Sequence, residues 1–225
     1  MIECILIWML VTAGLLSLWI FKYLKKVDEI EESCSERFGA DRNRQLLVRW
    51  GYIGWNIGLA GIAAFFVYRY ASGWLAIARL LVMFVAFAAA AMVDFLIRKI
   101  PNVLVLAVMI ARVIIWVPEI ICQPKQWLWT IAGSLVSMLV VFMMLLILSK
   151  LSRGGLGMGD VKLIMAHAFL CGFYSVINTL IFALLVCVVV AIVMVLLSKK
   201  GMKDAIAFGP FLYIGFTISL FLGAF

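Results

Sequence analysis

Long apolar runs separated by short polar segments constrain this chain more than any other feature. A helix needs about 20 apolar residues to cross a bilayer. With 67% hydrophobic and only 13% charged residues, the 225-residue chain has too few polar residues to cover the surface of a water-soluble domain. The sequence therefore predicts an all-α, polytopic transmembrane helical bundle. The apolar runs lie at about residues 2–21, 50–69, 74–93, 102–120, 127–148, 161–198 and 205–225.

One of these runs, residues 161–198, is too long for a single span. The sequence Cys171-Gly172-Phe173-Tyr174-Ser175 interrupts it, so we expect a short helix followed by a full span. This gives about 6–8 spans, depending on whether the short helix crosses. Residues 1–70, with one polar segment at 22–49, are predicted to form an N-terminal membrane region, and residues 71–225 the core of the protein.

The basic residues indicate the orientation of the bundle. Of the 19 Lys and Arg residues, 15 fall in the segments 22–49, 94–101, 149–162 and 199–204. Cytoplasmic loops of membrane proteins carry an excess of such residues, so these segments are predicted to be cytoplasmic. The net charge of +8 is therefore explained by membrane topology, and no nucleic-acid partner is predicted.

Two aspartates stand at the ends of apolar runs on the predicted cytoplasmic side. Asp94 closes the run 79–93, and Asp160 follows Gly157 and Gly159 in a glycine-rich segment. A charge in the membrane costs about 2.5–3.5 kcal/mol, so such residues point to function. Two close carboxyl groups that share one proton can activate water and polarise a peptide carbonyl. From the helix dipole alone, we expect Asp160 to be the more ionised of the two and Asp94 the more protonated.

Structural alternatives exist for each of these polar residues. Asp94 could pair with Arg98, four residues later on the same helix face. Asp160 could be a simple N-cap of the following helix. Three further residues are expected to be interior polar partners, namely His167, Arg112 and Asn178.

Three ordered motifs resemble those of the type IV prepilin peptidases, which are Gly-x-Gly-Asp intramembrane aspartic proteases. The first is Asp94 followed by Ile100-Pro101-Asn102, and the second is Gly157-Met158-Gly159-Asp160 with Val161-Lys162-Leu163. The third is Phe208-Gly209-Pro210-Phe211-Leu212. The resemblance extends over about residues 75–225.

This resemblance implies an activity, a partner and a location. The activity is removal of the leader peptide from type IV pilin-like precursors, of the Flp/Tad or flagellin-like kind. The location is the cytoplasmic side of a prokaryotic cell membrane, where lipid surrounds the protein; no oligomeric state is predicted. Asp94 and Asp160 would be the catalytic pair. The residues that would bind substrate or shape the site are Gly157, Gly159, Lys162, Pro101, Gly209 and Pro210.

The cysteines depart from the pattern of the large family members. Those members have a cytoplasmic domain with paired Cys-x-x-Cys motifs and N-methyltransferase activity, whereas segment 22–49 here contains only Cys34. The chain therefore resembles the short form. Its five cysteines are scattered and it has a single histidine, so neither a metal site nor a cofactor is predicted.

Two other classes of protein compete with the protease. An ion-coupled transporter also uses membrane carboxylates and glycine-broken helices, but it commonly has two related halves, and no internal repeat is visible here. A non-enzymatic scaffold of a secretion machine would need neither aspartate.

Overall fold

The structure is a computed structural model that describes residues 73–97, 100–151, 156–196 and 208–223. All of these residues belong to one compact unit, Phe66–Phe225. The predicted spans at 2–21 and 50–69, the polar segment 22–49 and the segment 199–204 lie outside the described residues. The division of the chain at residue 70 stays a prediction.

The described residues are helical, which confirms the all-α prediction. A short 3-10 turn at Pro124–Gln126 joins the second and third helices. We number the helices within these residues α1 (Trp74–Ile97), α2 (Asn102–Cys122), α3 (Trp127–Leu151), α4 (Met158–Cys171), α5 (Phe173–Leu196) and α6 (Gly209–Phe221).

Four of these helices, α1, α2, α3 and α5, are long and apolar enough to cross a membrane. The predicted interruption of the run 161–198 is confirmed: α4 ends at Cys171, and Gly172 turns the chain into α5 with φ of 90°. A positive φ of this size favours glycine, because glycine has no Cβ atom to clash with the backbone. The expected last span at 205–225 appears in the described residues as α6, an apolar helix of 13 residues.

Helix α1 is the most buried of the four candidate spans within the described residues. Within the spanning window of α1, 72% of the residues are buried, compared with 28% in α2 and 17% in α3 and α5. Small side chains allow close helix packing in membranes, and Ala88, Ala89, Ala90 and Ala91 of α1 are all buried. Helices α4 and α6 pack on α1 and are also largely buried, whereas the exposed apolar faces of α2, α3 and α5 are suited to contact lipid.

The backbones of α5 and α6 approach each other closely at Gly215. A Cβ atom on Gly215 would lie 2.5 Å from the backbone nitrogen of Ala183 and 2.7 Å from the carbonyl oxygen of Thr179. Glycine is needed at this crossing, since any side chain would push the two helices apart.

The two ends of the bundle differ in their polar groups. At one end, Arg112 of α2 is buried; it forms an ion pair of 3.0 Å with Glu119 and donates hydrogen bonds to Ser134 Oγ of α3. Glu119 also faces Arg79 at the start of α1. The other end, where α1 finishes and α2, α4 and α6 begin, contains both aspartates.

Candidate active site

Asp94 lies near the end of α1, where it is 7% exposed. Its Oδ2 atom accepts a hydrogen bond of 2.8 Å from the backbone N–H of Gly209, the first residue of α6. Pro210 follows in the first turn of α6, where its fixed φ favours the start of a helix. The Asp94 carboxyl group is therefore held against the start of a helix that is 115 residues away in sequence.

Gly209 leaves no room for a side chain beside this carboxyl group. A Cβ atom on Gly209 would lie 2.9 Å from both Cβ and Oδ2 of Asp94. Arg98, the alternative partner of Asp94, lies outside the described residues. The observed partner of Asp94 is thus a backbone amide that the local sequence pattern does not reveal.

Asp160 lies in the first turn of α4. The N-cap of this helix is Gly157, so the interpretation of Asp160 as the N-cap is wrong. Its side chain turns back over Gly157, where an added Cβ atom would come within 3.0 Å of Asp160 Oδ2. Within the described residues, Asp160 Oδ1 is buried without a hydrogen-bond partner. A buried carboxyl oxygen without a partner is uncommon in folded proteins, so it marks this position as a candidate functional group.

The environment of Asp160 favours its protonated form. Burial raises its pKa to about 7, and the negative charge of Asp94 contributes to the rise. The two carboxyl groups therefore lie within electrostatic range of each other. Burial and the charge of Asp94 thus both favour the protonated form of Asp160, which is the opposite direction to the one expected from the helix dipole.

Residues 100–102, at the start of α2, lie against the start of α4. A Cβ atom on Gly159 would lie 3.2 Å from Cβ of Ile100, so the two backbones are close. Lys162 Nζ donates a hydrogen bond of 3.1 Å to Oδ1 of Asn102. Pro101, between these two contacts, is the N-cap residue of α2 and has extended backbone angles. Asn102 was not predicted as a site residue, although it belongs to the same motif.

His167 lies in the interior of the bundle, as expected for a structural partner. It is fully buried, its Nε2 atom lies 3.0 Å from Ser175 Oγ, and its ring stacks edge-on against Phe87 and Phe216. Arg112 is also an interior partner, bound to Glu119. Glu119 was missed in the sequence, although a residue seven positions after Arg112 falls on the same helix face.

The structure thus places the predicted site residues at one end of the bundle but gives them different surroundings. Gly209 touches Asp94, and Gly157 touches Asp160. Gly159 lies against Ile100, and Lys162 is hydrogen-bonded to Asn102, the first residue of α2. A protonated carboxyl group beside a second carboxyl group can serve as a general acid and base pair.

Comparison with known proteins identifies the family. The model of the type IV leader peptidase family matches residues 80–192, which is half of the chain and includes both aspartates. Gly209 and Pro210 fall beyond the match. Searches of curated proteins and of solved structures found no match. The extent of the family match shows that this membrane protein belongs to the type IV leader peptidase family.

Proposed function

We propose that the chain is an aspartic endopeptidase that removes the leader peptide from type IV pilin-like precursors, with Asp94 and Asp160 as its catalytic pair. Membership of a leader peptidase family supports peptide hydrolysis. The observation that carries the aspartic mechanism is the pair itself: two carboxyl groups in electrostatic range, one of which has a buried oxygen without a partner in the described residues.

The proposed reaction needs one proton on the pair. Asp160, whose pKa is raised to about 7, holds this proton and donates a hydrogen bond to the oxygen of the scissile carbonyl. Asp94 takes a proton from water as the water oxygen attacks the carbonyl carbon. During the attack the Asp160 proton passes to the carbonyl oxygen, which gives a neutral gem-diol. When this intermediate collapses, the C–N bond breaks and the leaving amine takes the proton that Asp94 removed from water. One hydroxyl group of the gem-diol returns its proton to Asp160 as the new carboxylic acid forms. Water is the only co-reactant, and the pair returns to its starting state.

The Gly209 amide has a positioning role in this reaction. Its hydrogen bond fixes one oxygen of Asp94, so the other oxygen can face the water. Fixed geometry contributes strongly to catalysis, since a displacement of about 1 Å can cost about 100-fold in rate.

The side of the membrane follows from charge. The segments 94–101 and 149–162, which flank the two aspartates, contain five Lys and Arg residues. The positive-inside rule places such segments in the cytoplasm. We therefore propose that cleavage occurs at the cytoplasmic face of the cell membrane.

Co-expression with a type IV prepilin tests this proposal. Wild type is expected to shorten the precursor by its leader, whereas Asp94→Asn and Asp160→Asn insert in the membrane but leave the precursor intact. Asp28→Asn, the same chemical change in the polar segment 22–49, is a matched control that should cleave normally. If wild type does not shorten the prepilin, the proposed substrate class is wrong. Cleavage at the wild-type rate by either active-site variant would show that the residue is not catalytic.

A further inference from the structure

Two residues of α4 close to Asp160 contact residues 100–102, which follow Asp94 in the sequence. Gly159 and Lys162 are three residues apart, so they share one face of the helix. Gly159 packs against Ile100, and Lys162 is hydrogen-bonded to Asn102. Residues 100–102 come only six to eight positions after Asp94 in the sequence.

We propose that Lys162 and Asn102 are positioning residues whose hydrogen bond sets the separation of Asp94 and Asp160. This inference rests on the proposed catalytic pair. The bond links the start of α4, which carries Asp160, to the start of α2. Asn102 follows Asp94 by only eight positions in the sequence, so its place limits where Asp94 can lie. Asp94 is also held by the Gly209 amide, so each aspartate has a separate support.

Two observations argue against simpler roles, namely helix capping by Asn102 and neutralisation of Asp160 by Lys162. Asn102 opens α2, yet its side-chain oxygen is used for the bond to Lys162 and not for capping its own helix. An ammonium group directed at Asp160 would lower the pKa of that carboxyl group, whereas the pKa is raised by burial and by Asp94. Lys162 therefore acts through Asn102 and does not neutralise the catalytic pair.

The bond is exposed, and exposed hydrogen bonds contribute little to folding. Loss of the bond should therefore leave the bundle folded. It should displace the two carboxyl groups relative to each other, and this displacement would lower the rate of the chemical step. We expect Lys162→Met and Asn102→Leu each to lower kcat by roughly 10- to 100-fold, with KM changed less than about twofold.

A double-mutant cycle on the full-length protein in detergent, with a purified type IV prepilin, tests the inference. If the two residues act through one bond, the double variant is no slower than the slower single variant. Lys162→Arg, which keeps a donor for Asn102, should recover most of the lost rate. Lys125→Met makes the same change at the far end of the bundle, and its kcat should equal that of wild type. Membrane insertion and elution volume in detergent are measured first, and Lys162→Leu replaces Lys162→Met if the latter does not insert.

The outcomes distinguish this inference from the proposed function. Additive losses in kcat, or a loss confined to KM, would overturn it, since Lys162 would then act independently of Asn102 or bind substrate. Asp160→Asn is measured in the same assay. If Asp160→Asn is inactive and the cycle is additive, only the positioning role is wrong. If Asp160→Asn remains active, or wild type cleaves no prepilin, the inference falls together with the proposed function.

Discussion

At the scale of single residues, each aspartate is paired with a glycine at the start of a helix. Gly209 donates its N–H to Asp94, and Gly157 leaves space for the Asp160 carboxyl group. The sequence indicated both aspartates, because carboxylates are rare at the ends of apolar runs. It could not indicate that the Gly209 amide reaches Asp94, because that contact joins distant parts of the chain. It also could not indicate that burial raises the pKa of Asp160, since burial is a property of the folded bundle.

The pH dependence of cleavage follows from the raised pKa of Asp160. Its ordinary value is 3.8, and burial together with Asp94 moves it to about 7. The general acid therefore keeps its proton below about pH 7 and loses it above. We expect kcat to fall roughly tenfold per pH unit above about pH 7, with the apparent value belonging to the coupled pair. Initial rates with saturating prepilin measure this limb. A fall centred near the ordinary value would contradict the assignment of Asp160 as the acid.

Replacing Gly209 tests the support of Asp94. In Gly209→Ala the new methyl group would lie 2.9 Å from Asp94 Oδ2, so either the carboxyl group or the start of α6 must move. We expect a loss of about 100-fold in kcat. Gly133→Ala is the matched control, because a Cβ atom there meets nothing within 4 Å. Equal rates for the two alanine variants would show that Gly209 does not position Asp94.

At the scale of helices, hydrophobic patterning predicted the main elements well. The predicted runs 74–93, 102–120 and 127–148 correspond to α1, α2 and α3. Their ends were less accurate, because the helices continue by two to four residues beyond the apolar runs. Helix α4 begins at Met158, before the predicted start at residue 161, so it includes Asp160 in its first turn. The sequence also could not rank the helices by burial, since all are similarly apolar.

The crossing of α5 and α6 provides a test at this scale. In Gly215→Ala the added methyl group would meet the backbone of α5 at 2.5 Å, and that backbone cannot rotate away as a flexible side chain would. We expect a loss of about 1–3 kcal/mol in the free energy of unfolding. Unfolding in mixed micelles by added sodium dodecyl sulfate measures it. Gly133→Ala should be as stable as wild type or slightly more stable, because alanine favours helices. If both variants have wild-type stability, the close crossing is wrong.

At the scale of the whole molecule, the two ends of the bundle have different polar chemistry. One end contains the two aspartates. At the other end Arg112 pairs with Glu119 within α2, and Glu119 also pairs with Arg79 of α1. Charge counting predicted that both aspartates lie on one side of the membrane. Their placement at one end of the bundle agrees with that prediction, and the side itself remains a prediction.

Cysteine labelling tests the orientation. Cys122 is exposed at the end of α2, and a helix of 21 residues is about 30 Å long, so Cys122 lies far from the aspartates. In a variant that retains only Cys122, a membrane-impermeant maleimide should label intact cells. With Met158→Cys as the only cysteine, labelling should require permeabilised cells, because Met158 is exposed at the start of α4. The reverse pattern would place the aspartates outside the cytoplasm.

The central claim is that Asp94 and Asp160 act as one catalytic unit. The most direct measurement is the cleavage rate of a purified type IV prepilin by purified wild type, Asp94→Asn, Asp160→Asn and the double variant, each shown to be folded in detergent. Residues that act as a unit are strongly non-additive. We therefore expect each single variant to lose at least about 1,000-fold in rate, and the double variant to lose no more than the worse single variant. A wild-type rate in either single variant would contradict the account.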